Sequence, residues 1–267
     1  MTEPTWKVVM DEDGVTISGD RFRLTTNGSD PGRLDSVISE LLKVTRSSYG
    51  QYCGLSRAIE MVGERWGLLI VRDLLVSAKT RAELHQGLPR ISTALLSMRL
   101  KEMTYSGIVR TVGPRAGQAQ ERYELTEYGR ALEDVVLALG RWGAMALAAP
   151  RPEDVITEDS LVVALRATFL PERAVDVSAG YELHVGSLVV HVRVDDGRVA
   201  VAPGPLSGAD AVIDAGPLFK SLLTGDVTAA EALASGRVSV AGAPDALDRF
   251  VSMFQLPRLP VPVLPGT

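Results

Sequence analysis

The stretch from Lys79 to Leu125 constrains this chain most, because its caps and turns leave few ways to fold it. In Lys79-Thr-Arg-Ala-Glu-Leu-His-Gln-Gly87, Thr80 is followed three positions on by Glu83, the spacing of a capping box, which predicts a short helix starting at Thr80. Gly87-Leu-Pro-Arg90 is a turn. Ser92 then offers its hydroxyl to the free N–H groups of a second helix, in which Leu96, Leu100 and Met103 recur at the i, i+4, i+7 spacing of one buried face. Ala94, Ser97, Met98 and Lys101 fall on the other face. Small and polar side chains there suit an ordinary surface helix or one lying closely in a DNA major groove, whose width admits a helix.

The residues after the second helix narrow the choice. Ser106-Gly107 is a stop, Ile108 to Val112 is β-branched, Gly113-Pro-Arg-Ala-Gly117 is a turn-rich tip, and Arg122-Tyr-Glu-Leu125 is a return strand. Two helices across a tight turn with a hairpin behind them make a winged helix-turn-helix, in which the second helix enters the groove. The expected DNA contacts are Arg90, Ser92, Thr93, Ala94, Ser97, Met98 and Lys101 around the second helix, with Arg115 at the hairpin tip. An arginine at a hairpin tip is as readily a solvated one.

Charge and size frame this motif. Of the chain's 28 basic and 33 acidic residues, 13 and 8 fall between Arg46 and Arg130, a local +5 inside a chain of net charge −5. At 267 residues the chain exceeds the ~100–200 of one domain, so about two domains are expected. A 46% hydrophobic and 23% charged composition argues against disorder and against collagen. No apolar run reaches the ~18 residues of a membrane span, and the N-terminus lacks a signal pattern, so a cytoplasmic protein with no membrane partner is expected. The single cysteine, Cys53, cannot form an internal disulfide.

Tyr52-Cys-Gly-Leu-Ser-Arg-Ala-Ile-Glu-Met-Val-Gly-Glu-Arg-Trp66, then Leu68-Leu-Ile-Val-Arg-Asp-Leu-Leu75, Arg81-Ala-Glu-Leu84, Ile91-Ser92 and Tyr123-Glu-Leu-Thr-Glu-Tyr-Gly129 together resemble the signature of HxlR-type winged-helix regulators over residues 50–148. The resemblance implies a dimeric transcription regulator, a repressor, on a pseudo-palindromic double-stranded DNA site. Helices of that family offer Gln and Arg near the start of the second helix, where this chain has Thr93 and Ala94, so base reading would rest on fewer groups. The resemblance also makes the helix from Glu127 to Leu147, with its stripe Leu132, Val135, Val136, Leu139, Trp142 and Ala146, a homodimerisation helix; packing against the chain's own N-terminal helix is the alternative. Some members sense oxidants through a cysteine placed like Cys53. A thiol at a helix N-terminus near Arg57 would have a lowered pKa, whereas free cysteines are more often buried and inert.

Residues 1–48 read as an accessory extension: three extended segments ending at Asn27-Gly28, then a helical stripe of Leu34, Val37, Ile38, Leu41 and Leu42, a ββα-like piece too small to stand alone. It would pack on its neighbour or add to the dimer contact. The winged helix occupies residues 49–149, and Pro150-Arg-Pro152 is a linker. Residues 153–257 read as a helix, a run of hairpin strands, further helices and a last short strand and helix, and residues 258–267 are a Pro-rich tail. The order of these elements and the run Leu222 to Leu247 resemble the sterol carrier protein type 2 fold, which implies a sheet covered by helices around an apolar tunnel for a hydrophobic small molecule. Leu165, Phe169, Phe219, Leu223, Phe250 and Phe254 would line it, and each serves equally as ordinary core.

Catalysis finds little support. His184 and His191 fall on opposite faces of their strands by parity, His85 stands apart, and there is no metal-ligand, phosphate-loop or nucleophile-elbow motif, so neither cofactor nor metal is expected. The expected architecture is α+β and multidomain: an N-terminal extension, a winged helix and a sterol-carrier-like sheet-and-helix domain. A rival reading keeps the fold but makes the chain a binding or sequestering protein whose winged helix is an interaction module.

Overall fold

The computed structural model describes residues 48–113, 120–147, 151 and 153–256, together with the backbone of three N-terminal strands. Those strands, β1 (Lys7–Asp11), β2 (Gly14–Gly19) and β3 (Phe22–Asn27), form one antiparallel sheet and fall on the three extended segments. The expected helix at 34–42, Pro150 and Pro152 of the linker, the hairpin tip with Arg115 and the Pro-rich tail lie outside the described residues.

The winged helix comes next. Helices α1 (Gly54–Val62), α2 (Gly67–Val76), α3 (Arg81–Gly87) and α4 (Thr93–Tyr105) lead into the hairpin β4 (Val109–Val112) and β5 (Arg122–Leu125). Its core takes Ile70, Val71 and Leu74 from α2, Leu84 from α3, and Leu96, Leu100 and Met103 from α4, so the i, i+4, i+7 stripe is the buried face. Helix α4 ends in a Schellman closure. Gly107 takes φ +71°, the Ile108 N–H donates to the Met103 carbonyl, and the Gly107 N–H donates to that of Thr104.

The expected dimerisation helix is not continuous. Thr126 caps a single turn, α5 (Glu127–Arg130), and a separate helix, α6 (Glu133–Ala144), comes after it. At the break the Leu132 N–H donates back three residues, to the Gly129 carbonyl, so the chain tightens there into a 3₁₀-like turn. No Gly or Pro stands at residues 131–132, and the periodicity of the apolar residues continues across the break. The stripe therefore divides: Leu132 and Val136 pack inward, while Val135, Leu139 and Trp142 are exposed.

Helix α7 (Glu158–Thr168) begins in a capping box at Thr157. The C-terminal domain continues with β6 (Ser178–Val185), β7 (Leu188–Asp195), β8 (Arg198–Pro203), β9 (Ala211–Asp214), α8 (Phe219–Thr224), α9 (Ala229–Ala234), β10 (Ser239–Gly242) and α10 (Ala246–Met253). Its five strands are ordered β10-β9-β6-β7-β8, antiparallel except for the β6–β9 pair. One face, carrying Tyr181, Leu183, Val190, Val192 and Ile213, is buried in a single core with residues of α7 to α10.

The other face corrects the placement of the histidines. Antiparallel register sets Glu182 opposite His191, so even-numbered residues of β6 share a face with odd-numbered residues of β7. His184 and His191 therefore lie on the same face. His184 Nε2 stands 2.7 Å from Glu182 Oε1, and His191 Nδ1 3.1 Å from the Gly204 carbonyl. Parity orders residues within one strand, but pairing between strands depends on the turn that joins them.

Helix α7 joins the two larger units. Leu161, Val162 and Leu165 enter the core of the C-terminal domain, whereas Val163 enters the core of the winged helix. Arg166 adds polar ties to three elements: its guanidinium donates to the Leu75 carbonyl at the end of α2 and the Val201 carbonyl of β8, and sits 3.4 Å from Glu133 of α6. Arg141 of α6 donates to the Ala167 carbonyl. Among the described residues no helix is long and apolar enough to cross a membrane.

Candidate nucleic-acid interface

The candidate recognition face is built by its caps. Thr80 accepts from the Glu83 N–H while the Glu83 carboxylate accepts from the Thr80 N–H, completing the capping box that starts α3. Ser92 Oγ accepts from the Leu95 N–H at 3.2 Å and starts α4. Arg90, Ser92, Thr93, Ala94, Met98 and Lys101 are exposed. Ser97 is half-buried; its hydroxyl donates to the Thr93 carbonyl and accepts from Arg81 Nη1. Two of the expected contact hydroxyls thus already have structural partners.

The wing is fastened to the helices at its base. The Lys79 backbone pairs with Tyr123 in both directions, at 2.9 and 2.7 Å, a single antiparallel bridge on the side of β5. Arg122 donates to the Ala78 carbonyl and lies 3.0 Å from Glu83. Burial pushes the Tyr123 phenol above its ordinary range.

Between wing base and helices runs a trough of about 740 Å³, lined by Thr80, Arg81, Ala82, His85, Gln86, Thr93, Gln120, Glu121 and Tyr123. Of these only Thr93 is among the contacts expected from sequence. Arg81 is the first residue of α3, projects into the trough and reaches across to α4 through Ser97. In a helix-turn-helix the first helix crosses the DNA backbone, so an arginine at its start is the signal the sequence offers for this role.

The other expected sites lie elsewhere. Leu165, Leu223, Phe250 and Phe254 are buried in the C-terminal core, with Phe169 and Phe219 partly buried against it. Phe250 and Phe254 stack with ring centres 4.6 Å apart, Phe169 stands 5.3 Å from Phe254, and Tyr181 meets Phe250 edge-on at 5.3 Å. Cys53 is exposed rather than buried. The backbone N–H groups of Ser56 and Leu55 hold its thiol below the ordinary value, whereas Arg57 is turned to Glu60 at 3.2 Å. The helix N-terminus, not the arginine, is therefore the cause. Among the described residues no group of His, Cys, Asp and Glu is arranged to hold a metal.

Comparison with known proteins covers the same segment. The model of the HxlR-like helix-turn-helix family matches residues 61–150. The HTH-type transcriptional regulator YtcD of Bacillus subtilis is 31% identical over 32% of this chain and 68% of its own. YvaP of the same organism is 36% identical over 32% of this chain and 80% of its own. A Mycobacterium tuberculosis HTH-type regulator, Rv3095, is 37% identical over 37% of this chain, which spans only 61% of that relative's length. The solved reduced form of the transcriptional regulator YodB from B. subtilis is 30% identical, with a TM-score of 0.32, and covers 38% of this chain and 100% of its own. With the helix-turn-helix and its wing in place and regulators of this identity aligned over most of their length, the chain belongs to the HxlR-like helix-turn-helix family.

Proposed function

We propose that this protein is a DNA-binding transcription regulator, a repressor, that acts as a homodimer and responds to a hydrophobic small molecule held in its C-terminal domain. The observation that carries the DNA half is the trough: an exposed α4 face on one side, the wing base on the other, and Arg81 projecting between them. A phosphate strand laid there would meet Arg81 and Thr93 while α4 enters the major groove, with Lys101 facing the next stretch of backbone. Small residues on the outer α4 face favour phosphate contacts and shape over a dense set of base contacts. Arg115 would extend the same footprint to the minor groove.

The ligand half rests on strand order and on the likeness of residues 155–257 to the sterol carrier fold. The rings of Phe169, Phe250 and Phe254 pack on one another beside Tyr181, and they would supply the apolar lining if they parted around a ligand. A ligand there would alter DNA affinity by binding one arrangement of α7 better than another, since α7 is common to both cores. The exposed, acidified Cys53 thiol gives the regulator a second input, an oxidant, whose first product would be a sulfenic acid or a mixed disulfide.

Band-shift titration on the protein's own promoter tests the DNA half. Arg81→Ala and Lys101→Ala are each expected to weaken binding roughly tenfold and to lower the dependence of log affinity on log salt by about one unit. Circular dichroism controls for folding. Absence of any shift at low salt would overturn the reading, leaving a sequestering protein whose winged helix binds something else.

A further inference from the structure

Asp73 is the least expected side chain in the winged helix. It lies in α2, 0% exposed, between Arg72 and Leu74. Its Oδ1 is well served: Arg72 stands 2.8 Å away through Nε and 2.7 Å through Nη2. Its Oδ2 is buried and has no hydrogen-bond partner among the described residues. That oxygen faces the end of α3. A Cβ on Gly87 would stand 2.7 Å from it and 3.9 Å from Oδ2 of Asp159, so glycine is what lets two carboxyl groups come to this place.

Asp159 belongs to the first turn of α7, across the joint between winged helix and C-terminal domain. Its Oδ2 is paired with Lys79 Nζ at 3.0 Å. The Lys79 backbone is in turn bridged to Tyr123 at the base of the wing. Carboxyl groups from two domains thus come together beside Gly87, and the nearby lysine is engaged by Asp159.

We propose that this joint is a pH-sensitive latch: Asp73 enters the closed joint with a proton on Oδ2, and loss of that proton to solvent loosens the contact between α7 and the winged helix. The charged groups acting on Asp73 are Arg72 on its own helix, Lys79 ahead of α3 and Asp159 on α7; α3 meets it with the Gly87 backbone. Arg166, the other charge that α7 turns to α2, is occupied by the Leu75 carbonyl and Glu133. When Asp73 is neutral, no charge is buried on Oδ2. When it ionises, an unpaired negative oxygen is left buried beside a second carboxylate, and the joint must open to water to solvate it. Burial, helped by Asp159 and opposed by Arg72 and Lys79, pushes the Asp73 carboxyl up to about 6. Because the folded value exceeds the ordinary 3.8, the contribution of this group is fully present below about pH 4 and is lost as pH rises through about 6. Lys79 carries the loosening to the wing, which ties the device to the surface where DNA is proposed to bind, although the latch can be observed with neither DNA nor ligand.

The full-length protein and Asp73→Asn would be compared by infrared difference spectroscopy and by hydrogen exchange, the latter corrected for intrinsic rates. The wild type is expected to lose a protonated-carboxyl band with a midpoint near pH 6, and α7 amides, unlike those of α4, to lose protection over the same range. Asp73→Asn should lack the band and keep α7 protected. If Asp73→Asn does not fold, Asp159→Asn, which keeps Asp73 but removes the neighbouring charge, should shift the band's midpoint to lower pH. A band that survives Asp73→Asn, a midpoint unmoved in Asp159→Asn, or α7 protection that is independent of pH in the wild type would each overturn the latch.

Discussion

Gly129→Ala is expected to destabilise the protein by about 3 kcal/mol or more, whereas Gly140→Ala, the same chemical change, is expected to be neutral or to stabilise it by up to about 1 kcal/mol. At Gly129 an added Cβ would stand 2.1 Å from the Ile108 carbonyl oxygen and 3.0 Å from its carbon, both backbone atoms. Nothing flexible can yield there. The Ile108 carbonyl also accepts from the Thr126 N–H, and the Thr126 hydroxyl donates to the Gly107 carbonyl, so the end of α4, the start of β4 and the cap of α5 meet at this point. Moving α5 off Ile108 would break those bonds and expose Ile108 and Leu125, each 1% exposed. At Gly140 the added methyl would meet only the Ala167 Cβ, at 3.8 Å, an ordinary contact inside a helix that gains from alanine. Thermal melting is the measurement, and a loss of about 3 kcal/mol corresponds to a fall of roughly 10 °C for a chain of this size. Equal melting temperatures for the two variants would show that α5 is not docked on Ile108.

That contrast marks the boundary of what the sequence reveals. Thr80, Glu83, Ser92 and the Ser106-Gly107 stop are local signals, since each needs only neighbours within a few residues, and each stands in the structure as read. So does the stripe of Leu96, Leu100 and Met103, because burial of one helical face repeats with a fixed period. The same logic fails wherever distant segments decide. Gly129 is legible as the last residue of the Tyr123-to-Gly129 run, but the Ile108 carbonyl that excludes a side chain there is seen only in the structure. Arg81 gains a role only when the wing base closes the far side of its trough. Asp73 sits beside Arg72 in the otherwise apolar run Leu68 to Leu75, where nothing local marks its full burial; Gly87 and Asp159, which come close to its carboxyl group, lie farther along the chain. The break at residues 131–132 is of the same kind, since the apolar period runs on undisturbed across it and no Gly or Pro marks it.

The double substitution Leu139→Glu with Trp142→Glu is expected to convert the proposed dimer to a monomer and to weaken its grip on a two-half-site DNA by about 100-fold or more, because the second half-site would no longer be held at high effective concentration. Val135, Leu139 and Trp142 are 48%, 44% and 69% exposed and keep the i, i+4, i+7 spacing of α6, while Leu132 and Val136 beside them face the core. Leu55 and Ile59 of α1, 69% and 39% exposed, present a second stripe, and α1 and α6 both pack on α2. Monomers seldom leave apolar surface of this kind to water, and a two-fold axis would let each copy cover the other's stripe with its own. Because the altered side chains point away from the core, the winged helix should keep its fold, although a dimer's melting temperature, unlike the variant's, should rise with protein concentration. Sedimentation at several concentrations separates the two occupants of this face. A wild type that sediments as a monomer would overturn the dimer and leave the stripe to the chain's own residues 34–42; a variant that stays dimeric would place the contact on another surface.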